Sequence, residues 1–112
     1  MVWGKSIDYD DRDVRPLEGM PRPEVNGNWH IAIAHGYYVG KNPVLFPSYH
    51  IYEEDIAGME WDYIALGHVP TFKCLNSDPM TYYSGSPSFS KTVALVQFSE
   101  EAGVTVTRCE LP

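Results

Sequence analysis

Two short apolar runs set the architecture open to this chain. Ile31-Ala-Ile-Ala34 and Ile64-Ala-Leu66 show no polar alternation, and each abuts a histidine and a glycine, His35-Gly36 and Gly67-His68. Runs of this length without alternation are expected as strands buried on both faces, in a sheet covered by a layer on each side. Between them Ile51, Ile56 and Met59 keep helical spacing, Ser48 is placed to cap, and Glu53, Glu54 and Asp55 suit the positive end of a helix dipole. The spacing predicts a helix over Tyr52 to Met59. A helix leading into a parallel strand completes a βαβ unit, so the expected fold class is α/β.

Elsewhere the chain is punctuated. Val2 to Ile7 reads as the tail of a strand entering a loop. Pro16, Gly19, Pro21, Pro23 and Gly27 place too many breakers between Arg15 and Asn28 for a long helix or a central strand, so that stretch is expected to run over the surface. Tyr37 to Tyr49, interrupted by Pro43 and Pro47, reads as loop. Met80 to Ser84, Val93 to Phe98 and Val104 to Cys109 are rich in β-formers, and the last two flank Ser99 to Gly103 as the arms of a C-terminal β-hairpin. Thr105, Thr107 and Arg108 make its second arm wetter and place it nearer a sheet edge.

Size and charge narrow the function. A chain of 112 residues and 12.7 kDa holds one domain, and 44% hydrophobic with 21% charged residues is the composition of a folding sequence. Eight lysines and arginines against fifteen carboxylates give a formal charge of −7, which repels phosphate backbones and argues against a nucleic-acid-binding domain acting alone. No apolar run approaches the roughly 20 residues that span a bilayer, and the N-terminal residues hold no apolar signal region. Cys74 and Cys109 fit neither a disulfide scaffold nor a metal knuckle, so two reduced thiols in a cytoplasmic protein are expected.

The chemistry centres on the two strand-end histidines. Ligands of open α/β sheets bind beyond the carboxyl ends of the strands, and imidazole is a common metal ligand, so His35 and His68 are expected to converge on one crevice. A strand-end histidine is also, and more often, a hydrogen-bonded structural residue. His30 and His50 lack such a setting and read as structural or surface residues. The acidic run Asp8 to Asp13, with Arg12 inside it, reads as a solvated loop rather than a cation site. Ser84 and Ser86 lie in no nucleophile elbow, and Gly85-Ser86-Pro87 reads as a turn shaping the rim of a site. Tyr37, Tyr38, Tyr82 and Tyr83 have the rings to stack nucleobases, although tyrosines near strands more often serve as half-buried packing.

In order along the chain, Ile31-Ala-Ile-Ala-His35-Gly36, Asp62-Tyr-Ile-Ala-Leu-Gly-His68 and Tyr82-Tyr-Ser-Gly-Ser-Pro87 resemble the C-terminal half of calcineurin-like metallophosphoesterases. The look is nearest to the DNA double-strand-break repair exonuclease branch. The likeness covers about residues 28 to 112, and residues 1-112 would form the C-terminal portion of such a domain. It implies a partial αββα sandwich with a mixed sheet and the C-terminal hairpin, and a divalent metal site of manganese, iron or zinc that activates water against a phosphoester. Carried over by position, His35 and His68 would ligate one ion, with Gly36, Gly67, Gly85 and Ser86 at the substrate rim. Where the family has a second histidine two residues after the first, this chain has Pro70, and the family's carboxylate-bearing segments match nothing here.

The expected function is therefore a metal-dependent phosphoesterase segment, nuclease-like and inactive alone, with no catalytic residue assigned. The alternative is a reduced, non-catalytic module that keeps its fold for partner contacts or holds a single metal weakly. Partners implied are a phosphoester substrate, in a nucleic acid or nucleotide, and either an N-terminal segment or a second copy pairing with the exposed strand edge.

Overall fold

A computed structural model describes residues 1–7, 13–24, 26–41 and 48–112. Among these residues nine strands and one short helix follow in the order β1 Val2–Gly4, β2 Ile31–His35, β3 Tyr37–Gly40, β4 His50–Tyr52, α1 Glu53–Ile56, β5 Tyr63–Gly67, β6 Phe72–Ser77, β7 Met80–Ser84, β8 Thr92–Ser99 and β9 Gly103–Glu110. Three sheets result. Five strands order as β1-β2-β5-β7-β6, while β3-β4 and β8-β9 each form a pair. β1, β2, β5 and β7 run parallel, and β6 returns antiparallel along β7.

The α/β sandwich expectation is overturned. Strand makes up 47% of the described residues and helix 4%, so this is a small, mostly β domain with mixed sheets and no helical layers. The reason lies in Ile51, which matched the helical spacing but belongs to β4. Ala57 turns extended at φ −63° and ψ 131°, and Gly58 follows at φ +73°, a conformation that suits glycine, so the helix stops after one turn. Ser48 is separated from α1 by β4 and does not cap it. Instead the Asp55 carboxylate accepts the Tyr52 backbone N–H at 2.8 Å.

Strands β2 and β5 pair directly and in parallel, with α1 in the crossover between them, in the manner that the helix-then-strand order predicted. Burial on both faces does not hold for β2, however. Ala32 and Ala34 are buried at 0% and 6% exposure, whereas Ile33, between them, is 50% exposed. Ile-Ala-Ile-Ala alternates in size rather than polarity, and the small side chains take the face where neighbouring segments approach closely. Those neighbours include Leu17 and Met20, which join Ile51, Ile56, Trp61, Ile64, Leu66 and Tyr83 in one core.

The segment read as a surface connection thus lends two core residues. It is held in place from both ends. The Trp61 indole donates to Pro21 O at 3.0 Å, and the Arg15 guanidinium, 4.7 Å over the Tyr52 ring, pairs with Glu54 at 2.8 Å and with Asp55. These carboxylates hold the Arg15 pKa above its ordinary value. Tyr37–Gly40, read as part of a loop, is strand β3, pairing with β4 in the register Tyr37↔His50 and Tyr38↔Ile51. Of the acidic run Asp8 to Asp13, only Asp13 lies within the described residues.

The C-terminal hairpin forms where the pattern placed it, from Thr92↔Glu110 to Ser99↔Gly103, and makes a sheet of its own. Ser99 Oγ accepts the N–H groups of Glu101 and Ala102 at 3.2 and 3.3 Å, which closes the loop. Among the described residues no helix is long and apolar enough to cross a membrane.

Candidate functional site

Parallel pairing brings the ends of the three motif-bearing strands to one edge. His35 stands opposite Gly67 across β2 and β5, and Leu66 stands opposite Tyr83 across β5 and β7. The carboxyl ends of all three strands therefore open on the same side of the sheet. His35 and Gly67 share a face, and a Cβ at Gly67 would come within 3.2 Å of His35 Nδ1. The missing side chain makes room for the His35 ring.

His68 reaches that ring by leaving the strand. A continued strand would send residue 68 to the face opposite Gly67. Instead His68 takes φ +128°, and its Nδ1 comes to 3.3 Å from His35 Nε2 with the rings nearly perpendicular at 84°. Positive φ at a non-glycine residue costs on the order of 1–3 kcal/mol and persists where the surroundings enforce it. Both side chains are exposed. Desolvation, and then the neighbouring His35, hold the His68 pKa below its ordinary value, which favours the neutral imidazole, the form with a lone pair to give a metal.

This strain can be measured. Replacing His68→Gly is expected to raise stability by about 1 kcal/mol, because glycine adopts φ +128° without the Cβ clash. Urea denaturation checks it, and a loss of stability would mean that the His68 contacts outweigh the backbone cost.

Two imidazole nitrogens on one ion, with bonds of about 2.0–2.2 Å, lie about 2.8–3.6 Å apart for ligand angles between square and tetrahedral. The observed 3.3 Å fits that span. The same distance accommodates a single N–H···N bond, so proton and metal compete for one position. Among the described residues no group of three or more histidines, cysteines or carboxylates is placed to hold an ion. Pro70 is exposed on the connection between β5 and β6 and offers no ligand atom.

The expected rim residues divide. Gly67 lies beside the histidines. Gly36 is buried, and a Cβ there would meet Tyr49 O at 2.6 Å, Pro16 Cγ at 2.7 Å and Ile51 Cδ1 at 2.8 Å, so its bareness serves packing. Gly85 and Ser86 belong to a serine-rich turn between β7 and β8. Ser86 N donates to Ser90 Oγ at 2.9 Å, Phe89 N donates to Ser86 Oγ at 3.2 Å, and Lys91 N donates to Ser86 O at 2.8 Å. Those bonds engage Ser86 in the turn, as the Gly85-Ser86-Pro87 turn reading expected.

Two aromatic contributions were not visible in the sequence. The Tyr37 ring stands edge-on to His68 with centroids 5.9 Å apart and is 45% exposed. Tyr83, buried at 3%, donates its hydroxyl to Gly36 O at 2.9 Å and accepts Tyr38 N–H at 2.8 Å, tying the strand after His35 to β7. Only the chain's passage from the five-stranded sheet to β3, which starts at Gly36, creates that need. His30 and His50 are both buried, in keeping with a structural rather than a surface place. Cys74 and Cys109 are free thiols. No family model matches the chain, and no curated protein matches its sequence.

Proposed function

We propose that this chain supplies the two-histidine part of a metal site in a metal-dependent phosphoesterase, and that catalysis needs carboxylate ligands from a further segment. The observation that carries the reading is the 3.3 Å approach of His35 and His68 at the carboxyl edge of the parallel strands. Support comes also from the ordered likeness of the three motifs to metallophosphoesterases. A bound divalent ion of the manganese, iron or zinc type supplies Lewis acidity toward a phosphoester and its attacking water. His35 and His68 would hold that ion, Gly67 leaves space for the His35 ring, and the Tyr83 hydroxyl fixes the backbone beyond His35. The two free cysteines support a cytoplasmic setting.

A second reading, a non-catalytic module with one weakly held metal, is favoured by Pro70 at the position where the motif calls for another histidine. Calorimetric titration with manganese and zinc, joined to hydrolysis of a chromogenic phosphodiester, separates the two. The isolated chain is expected to bind metal weakly, to lose at least about tenfold in affinity on His68→Ala, and to show no turnover, since a catalytic ion needs about three protein ligands. Turnover that appears on adding a carboxylate-bearing N-terminal half supports the phosphoesterase reading. Metal binding with no turnover in either case supports the module, and turnover by the isolated chain, abolished by His35→Ala, overturns the requirement for a further segment.

A further inference from the structure

At the opposite edge of the sheet, where β2 and β5 begin, a cleft of about 340 Å³ is lined by Glu24, Glu60, Asp62 and Glu100 together with Trp29 and His30. Among the described residues no lysine or arginine lines it. Four carboxylates alone are an acidic patch, but His30 adds an independent feature. This histidine is only 5% exposed, and both its ring nitrogens are buried with no hydrogen-bond partner among the described residues. A neutral imidazole has one donor and one acceptor nitrogen, and leaving both unpaired costs about 1–3 kcal/mol for each unmet group. The backbone at this position is fixed: the His30 backbone N–H donates to Asp62 Oδ2 at 2.7 Å and Asp62 N donates back to His30 O at 3.0 Å, while the His30 ring packs edge-on against Trp61 with centroids 6.2 Å apart.

We propose that this cleft binds a guanidinium group. The four carboxylates come from three separate stretches of the chain, and no three metal-ligating side chains among the described residues converge on one point. That spread is unsuited to a compact metal ion. A guanidinium carries one delocalised charge and five N–H donors in a plane, so it reaches acceptors on several sides while its face lies against an aromatic ring. Trp29, 37% exposed, supplies such a ring at the cleft wall, and the cleft lies within the volume range of small-molecule sites. The group is available from free arginine derivatives and from arginine in a peptide. This site lies away from His35 and His68 and stands independently of the phosphoesterase reading.

The test is a nuclear magnetic resonance titration of the full chain with arginine amide, with its neutral isostere citrulline amide, and with a capped Gly-Arg-Gly peptide. Arginine amide is expected to shift the Trp29 indole and His30 ring signals, and citrulline amide to leave them in place. A tighter response to the peptide assigns the site to a protein partner, and an equal response assigns it to a small molecule. Glu60→Gln and Glu100→Gln, both at exposed positions, are expected to weaken binding about fivefold each without disturbing the fold, and His30→Phe to weaken it further. Equal shifts from arginine and citrulline, unchanged affinity in both glutamine variants, or a response of His30 to zinc but not to arginine amide would each overturn the proposal.

Discussion

Gly85→Ala is expected to destabilise the domain by about 3 kcal/mol, the sum of overpacking and an unfavourable backbone conformation. Gly85 sits at φ +87°, where a side chain is already strained. Its absent Cβ would overlap Thr92 Oγ1, lie 2.7 Å from Ser90 Oγ and press on the backbone nitrogen of Phe72 at 3.3 Å. Rotating Thr92 away offers no relief, because that side chain is 1% exposed and its hydroxyl is shared between Ser90 Oγ at 2.7 Å and Ser84 O at 3.3 Å. The turn from β7 into β8 and the start of β6 would have to separate. Equilibrium urea denaturation measures the effect, and a change below about 0.5 kcal/mol would show that the turn relaxes freely.

Tyr83→Phe is the second large effect, about 2 kcal/mol. The substitution keeps the buried ring and removes one oxygen, yet it strips a partner from two backbone groups at once, the carbonyl of Gly36 and the N–H of Tyr38. Neither finds water easily, since burial at this hydroxyl is deep enough to raise its pKa above the ordinary tyrosine value. The stability loss is expected together with faster hydrogen exchange at the Tyr38 amide. Unchanged exchange at Tyr38 would remove this hydroxyl as the tie between β7 and β3.

The contrast between these two positions shows what a sequence carries. The strand ending at Ser84 and the glycine turn after it were legible, because β-formers followed by Gly-Ser-Pro have a local meaning. Tyr83 was legible as packing but not as a bridge, because its partners lie 45 and 47 positions away. Strand β6 went unread for another reason: Lys73, Asn76 and Ser77 break its apolar pattern, and its strand state comes from antiparallel pairing with β7 along an edge. Strands β3 and β4 were hidden behind Pro43 and Pro47, which speak for a loop without saying where it begins. The histidine pair was the reverse case. Its convergence was expected from strand-end position, whereas the φ of +128° that lets His68 arrive there has no local signature in Gly67-His68-Val69-Pro70.

The order β1-β2-β5-β7 has a consequence for how the domain assembles in time. Its parallel partners Val2 and Ile31, Ile31 and Tyr63, and Tyr63 and Met80 stand 29, 32 and 17 positions apart, whereas Ser99 and Gly103 pair across three residues. Chain entropy makes closing the hairpin β8-β9 the least costly step and bringing β2 to β5 among the most costly. The histidine edge and the acidic cleft both require β2 and β5 side by side, at opposite ends of the same pairing. Neither can therefore exist in a chain that holds only the C-terminal hairpin, and both wait on the joining of these two strands.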